Sequence, residues 1–226
     1  MRDKPVLYAY LIASAIFLAG VISGMPWVEH TGRLLLVPIA YLYYSRAVIK
    51  RHYLPLVIMV LCWLGLFFGY VLSQKWQVVS FISYSLAYII LTVICFKSIR
   101  LLRVKRLLYS ALPVIILWFV YFIYSIKDIF GNQMGKLYPY VMGYSIILSL
   151  FMIVTLVSFF NKETKIKLFA VIIALSFVVG DIMIGFYNYL EADFLFKFVN
   201  AVATVAAYFF LARFITAFNF RRLEIA

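Results

Sequence analysis

The sequence predicts an all-α integral membrane protein, a single bundle of about eight transmembrane helices, and three observations carry that prediction. Hydrophobic residues make up 67% of the 226-residue chain and charged residues 13%, whereas soluble domains are about 45–50% apolar. A soluble fold of this length has no interior large enough for so much apolar surface, so lipid must solvate much of it. The apolar residues fall in eight runs separated by short connections, and the basic residues alternate between those connections.

Taken in order, the runs are Val6–Gly24, Leu34–Val48, Tyr53–Leu72, Val78–Phe96, Leu107–Ile126, Leu137–Phe160, Lys167–Tyr189 and Leu195–Phe218. Most meet the length of about 17–25 residues that a spanning helix needs, and the second falls short of it. The first run has a basic start and small residues near Ser23 and Gly24, as a cleaved leader would. Its apolar stretch is longer than the core of such a leader, so a retained helix is expected. Cys62 and Cys95 both lie inside runs, where a thiol acts as a small apolar side chain.

The net charge is +13, from 21 lysines and arginines against 8 acidic residues. Sixteen of the basic residues sit at alternate ends: Arg2 and Lys4; Arg46, Lys50 and Arg51; Lys97, Arg100, Arg103, Lys105 and Arg106; Lys162, Lys165 and Lys167; and Arg213, Arg221 and Arg222. The opposite connections hold Arg33, Lys75, Lys127, Lys136 and Lys197. Basic residues accumulate on the cytoplasmic side of membrane proteins, which puts both termini there. The positive charge is then a topology signal, and no soluble module remains that would bind nucleic acid. The stretch from Lys97 to Arg106 reads as a linker between halves that meets anionic lipid headgroups.

Each half carries a similar series of short motifs. Lys4-Pro5-Val6-Leu7-Tyr8-Ala9 resembles Lys105-Arg106-Leu107-Leu108-Tyr109-Ser110, and Gly32-Arg33-Leu34 resembles Gly135-Lys136-Leu137. Leu64 to Gly69 resembles Leu175 to Gly180, and Ala87-Tyr88 resembles Ala207-Tyr208. The common order points to a parallel 4+4 repeat, with halves 1–98 and 99–226. Membrane repeats of this kind often enclose a site at their interface.

Asp181 is the acidic residue read deep inside a run. A carboxylate in hydrocarbon is costly, so this one faces the bundle interior or water and is a functional candidate. At 1.5 Å per residue from Tyr189 it lies ~12 Å below the outer boundary. Tyr84 and Tyr88 on the fourth helix and Asn200 and Thr204 on the eighth share its level. Tyr70 occupies the equivalent position of the repeat, and Asn188 lies on the helical face of Asp181. A carboxyl group kept neutral out of water can donate a proton, which makes this an acid in a polar pocket. The alternative is structural: an interhelical hydrogen bond, or an ion pair with Arg33.

Other features have structural readings. Gly20-x-x-x-Gly24 and Gly65-x-x-x-Gly69 are small-residue faces for helix packing. His30 and His52 fall in connections on opposite sides and cannot share a metal. No nucleophile elbow, phosphate-binding loop or dinucleotide fingerprint occurs. The seventh run lacks the mid-span lysine of a retinal Schiff base, and Arg213 lies where a long side chain can reach the interface.

Three stretches, with the eight-span plan, resemble the YhhN family of lysoplasmalogenase-like membrane proteins. Arg33-Leu34-Leu35-Leu36-Val37-Pro38 is similar to the family's Lys-Pro-Leu-Leu-x-Pro opening of the second helix. Gly180-Asp181 is similar to its seventh-helix acidic motif, and Ser85-Leu86-Ala87-Tyr88 stands where the family has His-x-x-Tyr. The chain departs from the pattern at Tyr70, where the family has a second Asp, at Ser85 for the histidine, and at Arg33-Leu34 for Lys-Pro. The resemblance implies a bacterial inner-membrane enzyme acting on a lysophospholipid-like substrate. It would hydrolyse the vinyl ether of a lysoplasmalogen with Asp181 as acid and without a cofactor or metal. Arg33, Tyr70, Tyr84, Ser85, Tyr88, Asn188, Asn200 and Thr204 are the candidate substrate-side residues. The competing class is a non-enzymatic protein that binds or transports a lipid or apolar ligand.

Overall fold

A computed structural model describes residues 4–49, 51–72, 74–99, 101–131 and 133–220, with side chains omitted at 74, 101–112, 114 and 115. Arg2, Lys50, Arg100, Arg221, Arg222 and Asn132, and the side chains of Arg103, Lys105 and Arg106, lie outside the described residues. The described residues form eight α-helices joined by short connections: α1 (Lys4–Ser23), α2 (Pro26–Ala47), α3 (Tyr53–Leu66), α4 (Gln77–Lys97), α5 (Leu101–Phe130), α6 (Tyr138–Asn161), α7 (Lys165–Tyr189) and α8 (Phe194–Ala217). Six of these, counting α3 with the turn that extends it, are long and apolar enough to cross a membrane. The protein is thus a multi-pass helical membrane protein.

Local chemistry sets several helix ends. Gly24, at φ +67°, makes the turn out of α1, a backbone state that costs glycine little. It therefore serves a turn, and Gly20 is the member of that glycine pair that meets α2, at Val28 and Glu29. Pro26 then starts α2 at a position where a missing N–H costs nothing. Asp193 Oδ1 accepts from Leu195 N at 2.7 Å to cap α8, and Thr164 caps α7.

Two boundaries differ from those the hydropathy pattern predicts. α2 begins at Pro26, not near Leu34, and runs for 22 residues. Its first turns carry Glu29, His30 and Arg33, polar residues that hide a helix from a hydropathy scan. His30 is consequently helical. α5 begins at Leu101 and spans 30 residues, so part of the basic stretch expected to be a linker is helix. α3 ends in one π turn, Phe67–Val71, a helical irregularity frequent at functional sites.

The helices pack as sequential neighbours except between α4 and α5. Further contacts join α4 to α6, α2 to α8 and α1 to α8. α7 against α8 and α1 against α2 are the tightest pairs, and small residues explain both. Gly32 lies against the Phe17 backbone, and Gly180 lies against Asn200 and Ala203. Gly65 faces the Tyr84 ring and Gly69 the Ser80 hydroxyl, so that glycine pair does form a packing face between α3 and α4. The main apolar core runs through the bundle, with Phe17, Leu36, Ile58, Tyr88, Leu91, Ala174 and Ile215 almost wholly enclosed.

Candidate functional site

Two polar clusters lie within this apolar frame, on the side of the bundle where α1 joins α2 and α7 joins α8. The first is built on α2. Arg33, 1% exposed, donates from Nη2 to Glu29 Oε1 at 3.2 Å and to Asn200 Oδ1 at 3.3 Å. Glu29, 4% exposed, also meets Lys197 Nζ at 2.7 Å through Oε2. The guanidinium carbon stands 3.6 Å from the centroid of the Tyr70 ring and 4.7 Å from that of Phe17. Arg33 Nε and Nη1 have no hydrogen-bond partner among the described residues, so aromatic rings supply their surroundings. Glu29 is a deeply buried acid, at a position that the hydropathy pattern assigns to a connection.

The second cluster centres on Asp181. Tyr144 on α6 donates its hydroxyl to Asp181 Oδ2, and the Tyr88 and Tyr144 hydroxyls lie 3.3 Å apart. Asp181 makes no ion pair with Arg33; the guanidinium is committed to Glu29. Of the two structural alternatives, the hydrogen bond is present and the ion pair is not.

Asp181 also borders a cavity. This cavity, of about 140 Å³, lies between α4, α5, α6 and α7. Asp181, Tyr144, Ser145 and Ser80 line its polar side, and Phe81, Phe122, Ile126 and Phe130 much of the rest. It extends along α7 to Gly185, Asn188 and Tyr189. Phe130 closes on α7 beside Phe186, with ring centroids 5.8 Å apart, and the absence of a side chain at Gly185 admits it. Tyr70 belongs to both clusters, lining the cavity while its ring carries the guanidinium.

The candidates separate accordingly. Tyr70, Tyr84, Asp181 and Asn188 line the cavity. Tyr84 shares a hydroxyl contact of 3.3 Å with Tyr208. Tyr88 is fully enclosed and reaches Asp181 through Tyr144. Asn200 lies behind the site: its Nδ2 donates to Gly180 O at 2.9 Å, tying α8 to the residue before Asp181. Thr204 bonds back to Asn200 O at 2.8 Å. Ser85 is half-buried and does not line the cavity. Sequence reasoning missed Tyr144, Glu29, Lys197 and Gln77. Only the turn-spaced Tyr144 and Ser145, Ser149 pattern within an apolar run hinted that α6 has a polar face.

No family model matches the chain, no curated protein matches it, and no solved structure matches it.

Proposed function

We propose that the protein is a membrane-embedded hydrolase of lysoplasmalogenase type, with Asp181 as its acid and both termini in the cytoplasm. One observation carries the reading: Asp181, held at one oxygen by Tyr144, lines a largely apolar cavity instead of pairing with a cation. A protonated Asp181 gives its proton to the vinyl carbon that bears the alkyl chain, and the positive charge passes to the carbon bonded to the ether oxygen. Water adds at that carbon and loses a proton to the carboxylate. The hemiacetal then breaks to a fatty aldehyde and the free glycerol hydroxyl. Tyr144 donates to the carboxylate in the charged step, and Ser80 and Ser145 supply hydroxyls for water.

The proposed organisation is two parallel four-helix halves. In support, the α1–α2, α2–α3, α3–α4 and α2–α8 contacts have counterparts in α5–α6, α6–α7, α7–α8 and α4–α6, while the α1–α8 contact has no counterpart of similar extent between α4 and α5. Gly69 beside Ser80 then corresponds to Gly180 beside Asn200. Tyr70 corresponds to Asp181. In the same organisation Arg33, inside α2, corresponds to Lys136, in the short turn before α6.

The test is aldehyde release by the purified protein from a panel of lysoplasmalogens, beside Asp181→Asn. Turnover by the wild type, lost in the variant, is expected; a wild type inert on every vinyl-ether lipid removes the reading. A second reading, a non-enzymatic binder of a lipid or apolar ligand, draws on one observation. Among the described residues Asp181 is the single carboxyl lining the cavity, and Tyr70 stands where the family pattern has another acid.

A further inference from the structure

Three properties of the Asp181 cavity constrain its occupant more narrowly than its apolar lining does. The first is charge. Asp181 meets no Lys, Arg or His among the described residues, and Tyr144 satisfies only Oδ2. The second is an acceptor without a donor: Gln77 Oε1, at the start of α4, is buried and unpaired among the described residues and lines the same cavity. The third is aromatic enclosure. Tyr70, Phe81, Tyr84, Phe130, Tyr144 and Tyr189 all contribute to the wall, and ring faces attract cations.

An anionic occupant would meet a carboxylate. A neutral hydrocarbon would leave the buried Gln77 Oε1 unpaired, which is unfavourable out of water. A metal ion needs several oxygen or nitrogen ligands, and the described residues contain no group of three acidic, histidine or cysteine side chains able to hold one. An N–H donor that carries positive charge satisfies all three properties together.

The geometry points to the cavity as a binding site for a small protonated amine with an apolar body. Asp181 accepts its N–H groups, Gln77 Oε1 is a further acceptor on the same wall, and the aromatic rings take its charge and hydrocarbon. The volume sets the body. About 140 Å³ is close to the ~150 Å³ of an engineered apolar cavity that accommodates benzene, so one ring or its aliphatic equivalent fits beside the ammonium group. The inference rests on the same reading of Asp181 as the group that faces the occupant, and it adds to the hydrolytic scheme. The oxocarbenium-like carbon of vinyl-ether hydrolysis carries positive charge at the same place, so an amine of this kind mimics it.

The test uses the full chain in nonionic detergent and three probes: 2-phenylethylamine, its neutral isostere 2-phenylethanol, and the trimethylammonium analogue, which lacks N–H donors. Binding is followed by ligand-observed NMR or calorimetry. The amine should bind more tightly than either analogue. Asp181→Asn should weaken it by roughly tenfold or more, the scale of one lost charge-assisted hydrogen bond, while leaving the alcohol unchanged. Ser145→Leu, which fills the cavity from α6, should abolish amine binding, and it keeps the test decisive where Asp181→Asn folds poorly. Amine binding that persists in either folded variant, or an alcohol or trimethylammonium analogue that binds as tightly as the amine, overturns the inference. Amine binding without aldehyde release leaves it standing and removes the hydrolase; aldehyde release without amine binding does the reverse.

Discussion

The Arg33 cluster and the Asp181 cavity bury ionisable side chains in the same membrane-spanning bundle and share the Tyr70 side chain, yet they partner those groups in opposite ways. Around Arg33 the partners are internal: Glu29 accepts from the guanidinium and meets Lys197, and Phe17 and Tyr70 contact the cation. Asp181 has one hydroxyl donor and an open volume beside it. The difference shows why burial alone does not identify a functional group. A charge whose partners lie within the fold stabilises packing, while a charge that faces a cavity is available to whatever enters it.

The comparison breaks most visibly at Glu29. Glu29→Ala leaves Arg33 and Lys197 without their shared anion, and losing one partner of a buried ion pair costs about 3–5 kcal/mol. Unfolding in detergent should show that loss, and an unchanged midpoint would mean that the cluster is solvated. Asp181→Asn should do the converse. Stability should change by less than about 1 kcal/mol, since the amide matches the protonated acid in size and can still accept from Tyr144. Turnover of a vinyl-ether lipid should fall by about 10²-fold, the scale of losing a general acid. A well-folded Asn variant with full turnover would sink the catalytic role.

Smaller effects sharpen the same contrast. Tyr70→Leu removes the ring beneath the guanidinium and should cost about 1–2 kcal/mol, the range of a desolvated cation–π contact; it should also alter ligand affinity, because the ring lines the cavity. A substitution that changes neither would separate Tyr70 from both sites. Lys197→Met should matter least. Its side chain is 24% exposed, so loss of its ion pair should cost under about 1 kcal/mol in the same unfolding measurement, provided that Arg33 still neutralises Glu29. A loss as large as that of Glu29→Ala would make Lys197 the principal partner.

Much of the frame is legible in the amino-acid sequence. Long apolar runs with few charges require helices, because backbone N–H and C=O groups in lipid must be satisfied within the segment. The runs at α1, α4, α6, α7 and α8 lie close to the observed helices for that reason. Asp181 is legible too, since an acid within such a run has few bland explanations. The start of α2 is not. Glu29 and Arg33 lower the apparent hydropathy of that segment, and their mutual neutralisation, which makes burial tolerable, depends on Lys197 and Asn200 from a helix more than 160 residues away in the chain.

By itself, the sequence determined that this is a multi-pass helical membrane protein and that Asp181 needs a polar or hydrated setting, because both follow from the cost of polar groups in hydrocarbon. Only the tertiary structure decided what that setting is. Whether Asp181 met Arg33, a tyrosine or a cavity depended on how α4, α6 and α8 turn their faces toward α7, and small residues such as Gly180 control that approach. Helical periodicity limits which residues share a face, but the partner across an interface comes from the packing of distant segments. Tyr144, an ordinary aromatic in an apolar run, became the partner of Asp181 through that packing alone.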